Sequence, residues 1–176
     1  MDQIYKVLII DDEVDSFCND EKVIKCRQER VELIKAHNIS EFEAYLRNCD
    51  GYVDAIITDV NFSAGDDGVA ADDNDSSGFN KVQQIVEIYR SKGRYIPYYI
   101  CSGKPVLVKD RYLKYNELKE LETNGRIFNK EDFWDLIEKI KTEAVVVQSS
   151  AFRLRKLYSS ELKATKNCIS SSHEKL

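Results

Sequence analysis

Nothing in this chain of 176 residues approaches the ~18 consecutive apolar residues that a membrane span requires. The only early apolar run, Val7 to Ile10, is too short for a signal-peptide core, so a cytoplasmic protein is expected. Histidine is nearly absent, with only His37 and His173, and the five cysteines (18, 26, 49, 101 and 168) form no Cys-x-x-Cys pair. That excludes a zinc constellation and leaves the cysteines as reduced, mostly packing thiols. Positive charge is also short: the formal net charge is -5 and the pI about 5.2. Non-specific binding to nucleic acid or to an anionic membrane, which needs concentrated positive charge, is not expected. No helix-turn-helix or zinc-finger pattern is present either.

What the chain does have is material for a core, with 43% hydrophobic and 10% aromatic residues. Short β-branched or aromatic runs recur near residues 5–10, 31–36, 53–58, 96–101 and 125–129. Between them lie longer stretches of helical periodicity. Val14 to Arg30 is polar and weakly amphipathic. Ser40 with Glu43 fits a capping box that would start a helix. Gly78 to Lys92 places Val82, Ile85, Val86 and Tyr89 on one face, and Arg111 to Glu122 does the same with Tyr112, Tyr115, Leu118 and Leu121. Phe133, Leu136, Ile137 and Ile140 mark a last core helix. Strands alternating with helices require parallel pairing and right-handed crossovers, so an α/β, three-layer, doubly wound sheet is expected.

In such a sheet, ligands sit beyond the carboxyl ends of the strands. The first run ends in Asp11-Asp12-Glu13 and the third in Asp59. Like charges at ~4 Å and an effective dielectric of ~20 cost roughly 4 kcal/mol, so three aspartates at one edge call for a counter-charge. A hard divalent cation supplies it and leaves one aspartate to react. The fourth run ends in Ser102 and the fifth in Lys130, which bring a hydroxyl and an ammonium to the same edge. Lys130 can pair with Asp59 or with an oxyanion attached to it, and Ser102 can donate to that oxyanion. Lys104 is a rival ammonium but lies between Gly103 and Pro105. A carboxylate nucleophile attacking phosphorus in line, with Mg²⁺ and an ammonium neutralising the transferred charge, is the reaction these groups suit.

Roughly residues 4–142 resemble the receiver domain of bacterial response regulators. The resemblance rests on Tyr5 to Ile10 ending in Asp11-Asp12, on Asp59 at the phosphoacceptor position, on Asn61 two residues later, on Ser102 at the switch hydroxyl and on Lys130 at the lysine position. It implies a flavodoxin-like five-stranded sheet of order 2-1-3-4-5 with helices on both faces. It further implies Mg²⁺ held by Asp11, Asp12, Asp59 and the Asn61 carbonyl, and transfer of a phosphoryl group to Asp59 from a histidine kinase or phosphotransfer protein. Such a domain catalyses only its own phosphorylation and dephosphorylation, and phosphorylation switches a protein-binding face for an output partner that the sequence does not identify. The chain departs from the family in four places. Ile127 replaces an aromatic, with Phe128 one position later and on the opposite face; Glu131 replaces the proline after Lys130; Ser63 replaces another proline; and 63–77 is inserted.

Residues 1–142 thus read as the receiver, with 63–77 as an inserted acidic loop of mobile composition. Its Asp-Asp-Asn-Asp run resembles part of a calcium loop, but the closing glutamate is missing, and a solvated loop is the better reading. Residues 143–176 read as a helical extension or linker. From Ala151 onward they are basic, with Phe152, Leu154, Leu157, Tyr158 and Leu162 at spacings compatible with a partner-binding or homodimerising helix. Two rival functions remain. One is a degenerate receiver acting as a constitutive interaction module. The other is a haloacid dehalogenase-type phosphatase, which is disfavoured because position 61 is Asn rather than a second, acid-base aspartate.

Overall fold

A computed structural model describes residues 4–49, 52–62, 77–103 and 121–144. The chain divides into two units, Met1–Ile140 and Lys141–Leu176, and the sheet belongs to the first. Of the expected loop over residues 63–77, Ser77 instead opens a helix that runs to Ser91, because the periodic apolar face that begins at Gly78 extends one residue back; residues 63–76, most of the expected helix from Arg111, Lys104 and the basic tail lie outside the described residues.

Five strands form one parallel sheet: β1 (Tyr5–Ile10), β2 (Val31–Ala36), β3 (Ala55–Thr58), β4 (Tyr98–Ser102) and β5 (Ile127–Asn129). Their order is β2-β1-β3-β4-β5, the doubly wound arrangement implied by the resemblance. The central strands β1 and β3 are apolar nearly throughout because both of their faces are covered, whereas β2 and β5, at the edges, are only partly buried.

The two-residue alternation of the strands sorts their side chains onto two cores. Leu8, Ile10, Ile56 and Ile100 face α3 (Ile39–Asn48) and α4 (Ser77–Ser91), meeting Phe42, Leu46, Phe79 and Val82. Val7, Ile9, Ala55, Ile57, Tyr99 and Cys101 face the opposite layer. That layer contains α1 (Val14–Phe17), α2 (Asp20–Gln28) and α5 (133–144), which contribute Val14, Phe17, Cys26, Phe133, Leu136 and Ile137. Each such fully buried aliphatic or aromatic side chain contributes about 1.5–3 kcal/mol. Ile127 packs on the α3/α4 core and Phe128 on the other, as alternation requires.

Two local expectations are corrected. The start of α3 is capped by Asn38, whose side chain accepts from the Glu41 N–H at 2.9 Å, while Glu41 accepts from the His37 N–H at 2.9 Å. The Ser40–Glu43 box does not form: β2 ends at Ala36, the helix begins at Ile39, and Asn caps at least as well as Ser. Val14 to Arg30, read as one stretch, is two helices, with Cys18 closing α1 on the Val14 carbonyl and Asn19 capping α2 through the Lys22 N–H.

Among the described residues, no helix is long and apolar enough to cross a membrane.

Candidate functional site

Register decides which strand ends meet. Ile10 pairs with Thr58, Thr58 with Ile100, and Ser102 with Asn129. The residues immediately after β1, β3 and β5 are therefore Asp11, Asp59 and Lys130, all at the carboxyl edge of the sheet. The Asp59 N–H donates to the Ile10 carbonyl at 3.2 Å, and the Asp11 N–H to the Ala36 carbonyl at 3.4 Å, so both aspartates are held by the ladder itself.

Each aspartate uses one oxygen for the backbone and one for the lysine. Asp11 Oδ1 accepts from the Glu13 N–H at 2.8 Å, and Asp59 Oδ1 accepts from the Val60 N–H. The two Oδ2 atoms share the Lys130 ammonium, at 2.7 Å for Asp11 and 3.0 Å for Asp59. Both carboxylates are buried, at 1% and 8% exposure. The backbone holds the lysine root: Asn129 Oδ1 accepts from the Glu131 N–H at 3.4 Å and opens a short 3-10 turn, Lys130–Asp132. Burial works against the ammonium, but the charge of Asp59 and the hydrogen bond to Asp11 outweigh it and hold the Lys130 pKa above the ordinary lysine range.

Asp12 differs from its neighbour. It is solvent-exposed, yet residual desolvation, followed by the charges of Asp11, Asp59 and Glu13, raises its pKa against an opposing backbone hydrogen bond. Two carboxylates share one ammonium, and Asp12, close enough to feel the charges of both, adds a third negative charge at this edge. Ser102 is buried at the end of β4, and Asn61 is half-buried in the bend after Asp59. Among the described residues, no group of three or more His, Cys, Asp or Glu is gathered closely enough to hold a metal ion. The chemistry of the donors nonetheless fits a hard divalent cation, because they are oxygens with uncompensated negative charge.

Two neighbours were not singled out by sequence. Phe17, at the end of α1, places its ring centroid 5.1 Å from Lys130 Nζ. Cys101, beneath the site, has its thiol pKa pushed up to about 12, first by burial and also by Asp59 and Asp11, which makes it inert. Three-residue spacing between Val14 and Phe17 was the available signal for the first. His37, expected to be an ordinary surface residue, is exposed but joins Asp15 (Nε2 to Oδ2, 3.0 Å) and Glu41 (Nδ1 to Oε2, 2.9 Å), and so clasps α1 to the β2–α3 turn.

No family model and no curated protein matches the chain. Among solved structures it is similar to the crystal structure of a response regulator receiver domain protein from Clostridium thermocellum. The two share 16% identity at a TM-score of 0.49, over 82% of this chain and 99% of that one.

Proposed function

We propose that this chain is a receiver domain of the response-regulator type and that Asp59 is its phosphoryl acceptor. The observation that carries the reading is the ammonium shared by two buried carboxylates from different strands, Asp11 and Asp59, at the edge where doubly wound sheets bind ligands. In the proposed reaction, a carboxylate oxygen of Asp59 forms a bond to phosphorus as the donor's P–N bond breaks, and the departing imidazole keeps the electron pair and takes a proton. Lys130, already on Asp59, neutralises charge as the phosphoryl oxygens arrive. Ser102 donates a hydrogen bond to one of those oxygens. Mg²⁺, when bound by Asp11, Asp12, Asp59 and the Asn61 carbonyl, would supply the remaining positive charge.

On this reading the protein is a cytoplasmic signalling module rather than a turnover enzyme. Residues 1–142 form the receiver, 63–76 an inserted loop and 143–176 an extension. Its partners are a histidine kinase or phosphotransfer protein, an output protein and, through the extension, a second copy of the chain. Incubation with acetyl phosphate and Mg²⁺ should add one phosphoryl mass to the wild type and none to Asp59→Asn. Failure of the wild type with both small donors and kinases would sink the reading.

A second reading, a degenerate receiver that binds its partner constitutively, is favoured by β5, where Ile127 stands in the place of the family's aromatic and packs on the α3/α4 core while Phe128 faces the other core. Beryllofluoride with Mg²⁺ separates the two. Changed amide spectra support the phosphoacceptor, and identical spectra support the constitutive module.

A further inference from the structure

The Phe17 ring meets two ammonium groups, with Lys22 Nζ 4.3 Å and Lys130 Nζ 5.1 Å from its centroid. Both lie within the ~6 Å over which a ring face attracts a cation. Phe17 is 7% exposed, and its ring packs edge-on against Phe133, at 5.4 Å and 86°. The helix break puts it there. Phe17 is the last residue of α1, and its carbonyl, released from the helical ladder, accepts from the Lys22 ammonium at 2.8 Å. Phe133 follows the 3-10 turn that carries Lys130, so the ring and the lysine are anchored to the same corner of the fold.

We infer that Phe17 is a positioning residue for Lys130: its ring keeps the ammonium over the Asp11–Asp59 pair and aims it at any oxyanion that Asp59 carries. The lysine stem is long and its side chain is 23% exposed, so hydrated rotamers compete with the buried one. An aromatic face beside the ammonium disfavours those rotamers and helps to keep water from the ion pair, where a lower dielectric strengthens it. The consequence for phosphoryl chemistry rests on the reading of Asp59 as acceptor, but the placement of the lysine does not.

Trace acetylation with acetic anhydride, followed by peptide mass spectrometry, measures how accessible Lys130 is relative to the exposed Lys81. Phe17→Leu should raise the relative rate at Lys130 about fivefold, and Phe17→Tyr, which restores a ring face, should change it by less than about twofold. Phe133→Leu loses the same ring pair but leaves the ring beside Lys130, and should also change it by less than about twofold. In parallel, Phe17→Leu should weaken beryllofluoride affinity about fivefold while affinity for Mg²⁺ alone stays the same. Should Phe17→Leu not fold, Phe17→Met takes its place. Unchanged labelling overturns the inference, as does faster labelling with unchanged beryllofluoride affinity. If the wild type binds no beryllofluoride, the phosphoacceptor reading fails and the labelling alone decides the role of Phe17.

Discussion

Lys130 Nζ stands 2.7 Å from Asp11 Oδ2, nearer than the 3.0 Å that separates it from Asp59 Oδ2. The lysine therefore does two jobs: it faces the candidate acceptor, and it neutralises a second carboxylate that is more deeply buried than the acceptor itself.

Lys130→Met removes the only cation paired with these two oxygens among the described residues. Breaking a buried pair from one side costs about 3 kcal/mol, which urea denaturation at neutral pH would register. Adding Asp11→Asn to Lys130→Met should recover part of that loss, because one uncompensated charge is removed. Phosphorylation by acetyl phosphate should slow about a hundredfold in the single variant.

Asp12→Asn should act in the opposite direction on stability. Folding raises this carboxyl's pKa through desolvation and the charges of Asp11 and Asp59, so the ionised form is disfavoured in the native state. The stability linked to Asp12 is full below its unfolded pKa and is lost as pH rises through the folded value. At neutral pH the Asn variant should be more stable by about 0.5 kcal/mol after solvent screening, with the difference gone by about pH 3. Mg²⁺ affinity, measured by titration, should fall in the same variant.

Gly78→Ala tests a close approach. The Gly78 N–H donates to the Phe62 carbonyl at 3.0 Å, and a Cβ at Gly78 would overlap the Phe62 ring and come within 2.7 Å of that carbonyl oxygen. Both Phe62 and Phe79 are fully buried, so the neighbours have little room to retreat. A loss of about 2 kcal/mol is expected, read from the urea midpoint. Gly93→Ala meets no atom within 4 Å and should cost only about 1 kcal/mol, for its positive φ of 76°.

The His37 clasp should give a pH-dependent contribution to stability. Hydrogen bonds first to Asp15 and then to Glu41 raise the His37 pKa above its ordinary value. Its contribution is complete below the unfolded pKa of about 6.5 and disappears as pH rises through the higher folded value. Because the group is largely exposed, the effect should stay below about 0.5 kcal/mol. The urea midpoint of wild type minus His37→Gln should be positive near about pH 5.5 and close to zero near about pH 8.5.

Sequence periodicity located the strands, and the helices over 78–92 and from Phe133, to within a few residues. The 53–58 run became Ala55–Thr58, and Gly78 to Lys92 became Ser77–Ser91. Hydrophobic repeats report which residues face a core, but strand ends depend on where the neighbouring strand stops pairing. Capping was less legible. Asn38 and Ser40 are both good caps, and the choice between them fell to the length of β2, which is a property of the sheet.

The order of apolar runs, and the acids and lysine that end them, are local properties of the chain, and by themselves they determined a doubly wound sheet with Asp11, Asp59 and Lys130 at one edge. Only tertiary structure decided that the ammonium takes Asp11 as well as Asp59, and that a broken first helix turns Phe17 toward it. Those contacts join residues 71 to 119 positions apart. Their ångström-scale geometry is fixed by register and packing, which no short window of sequence contains.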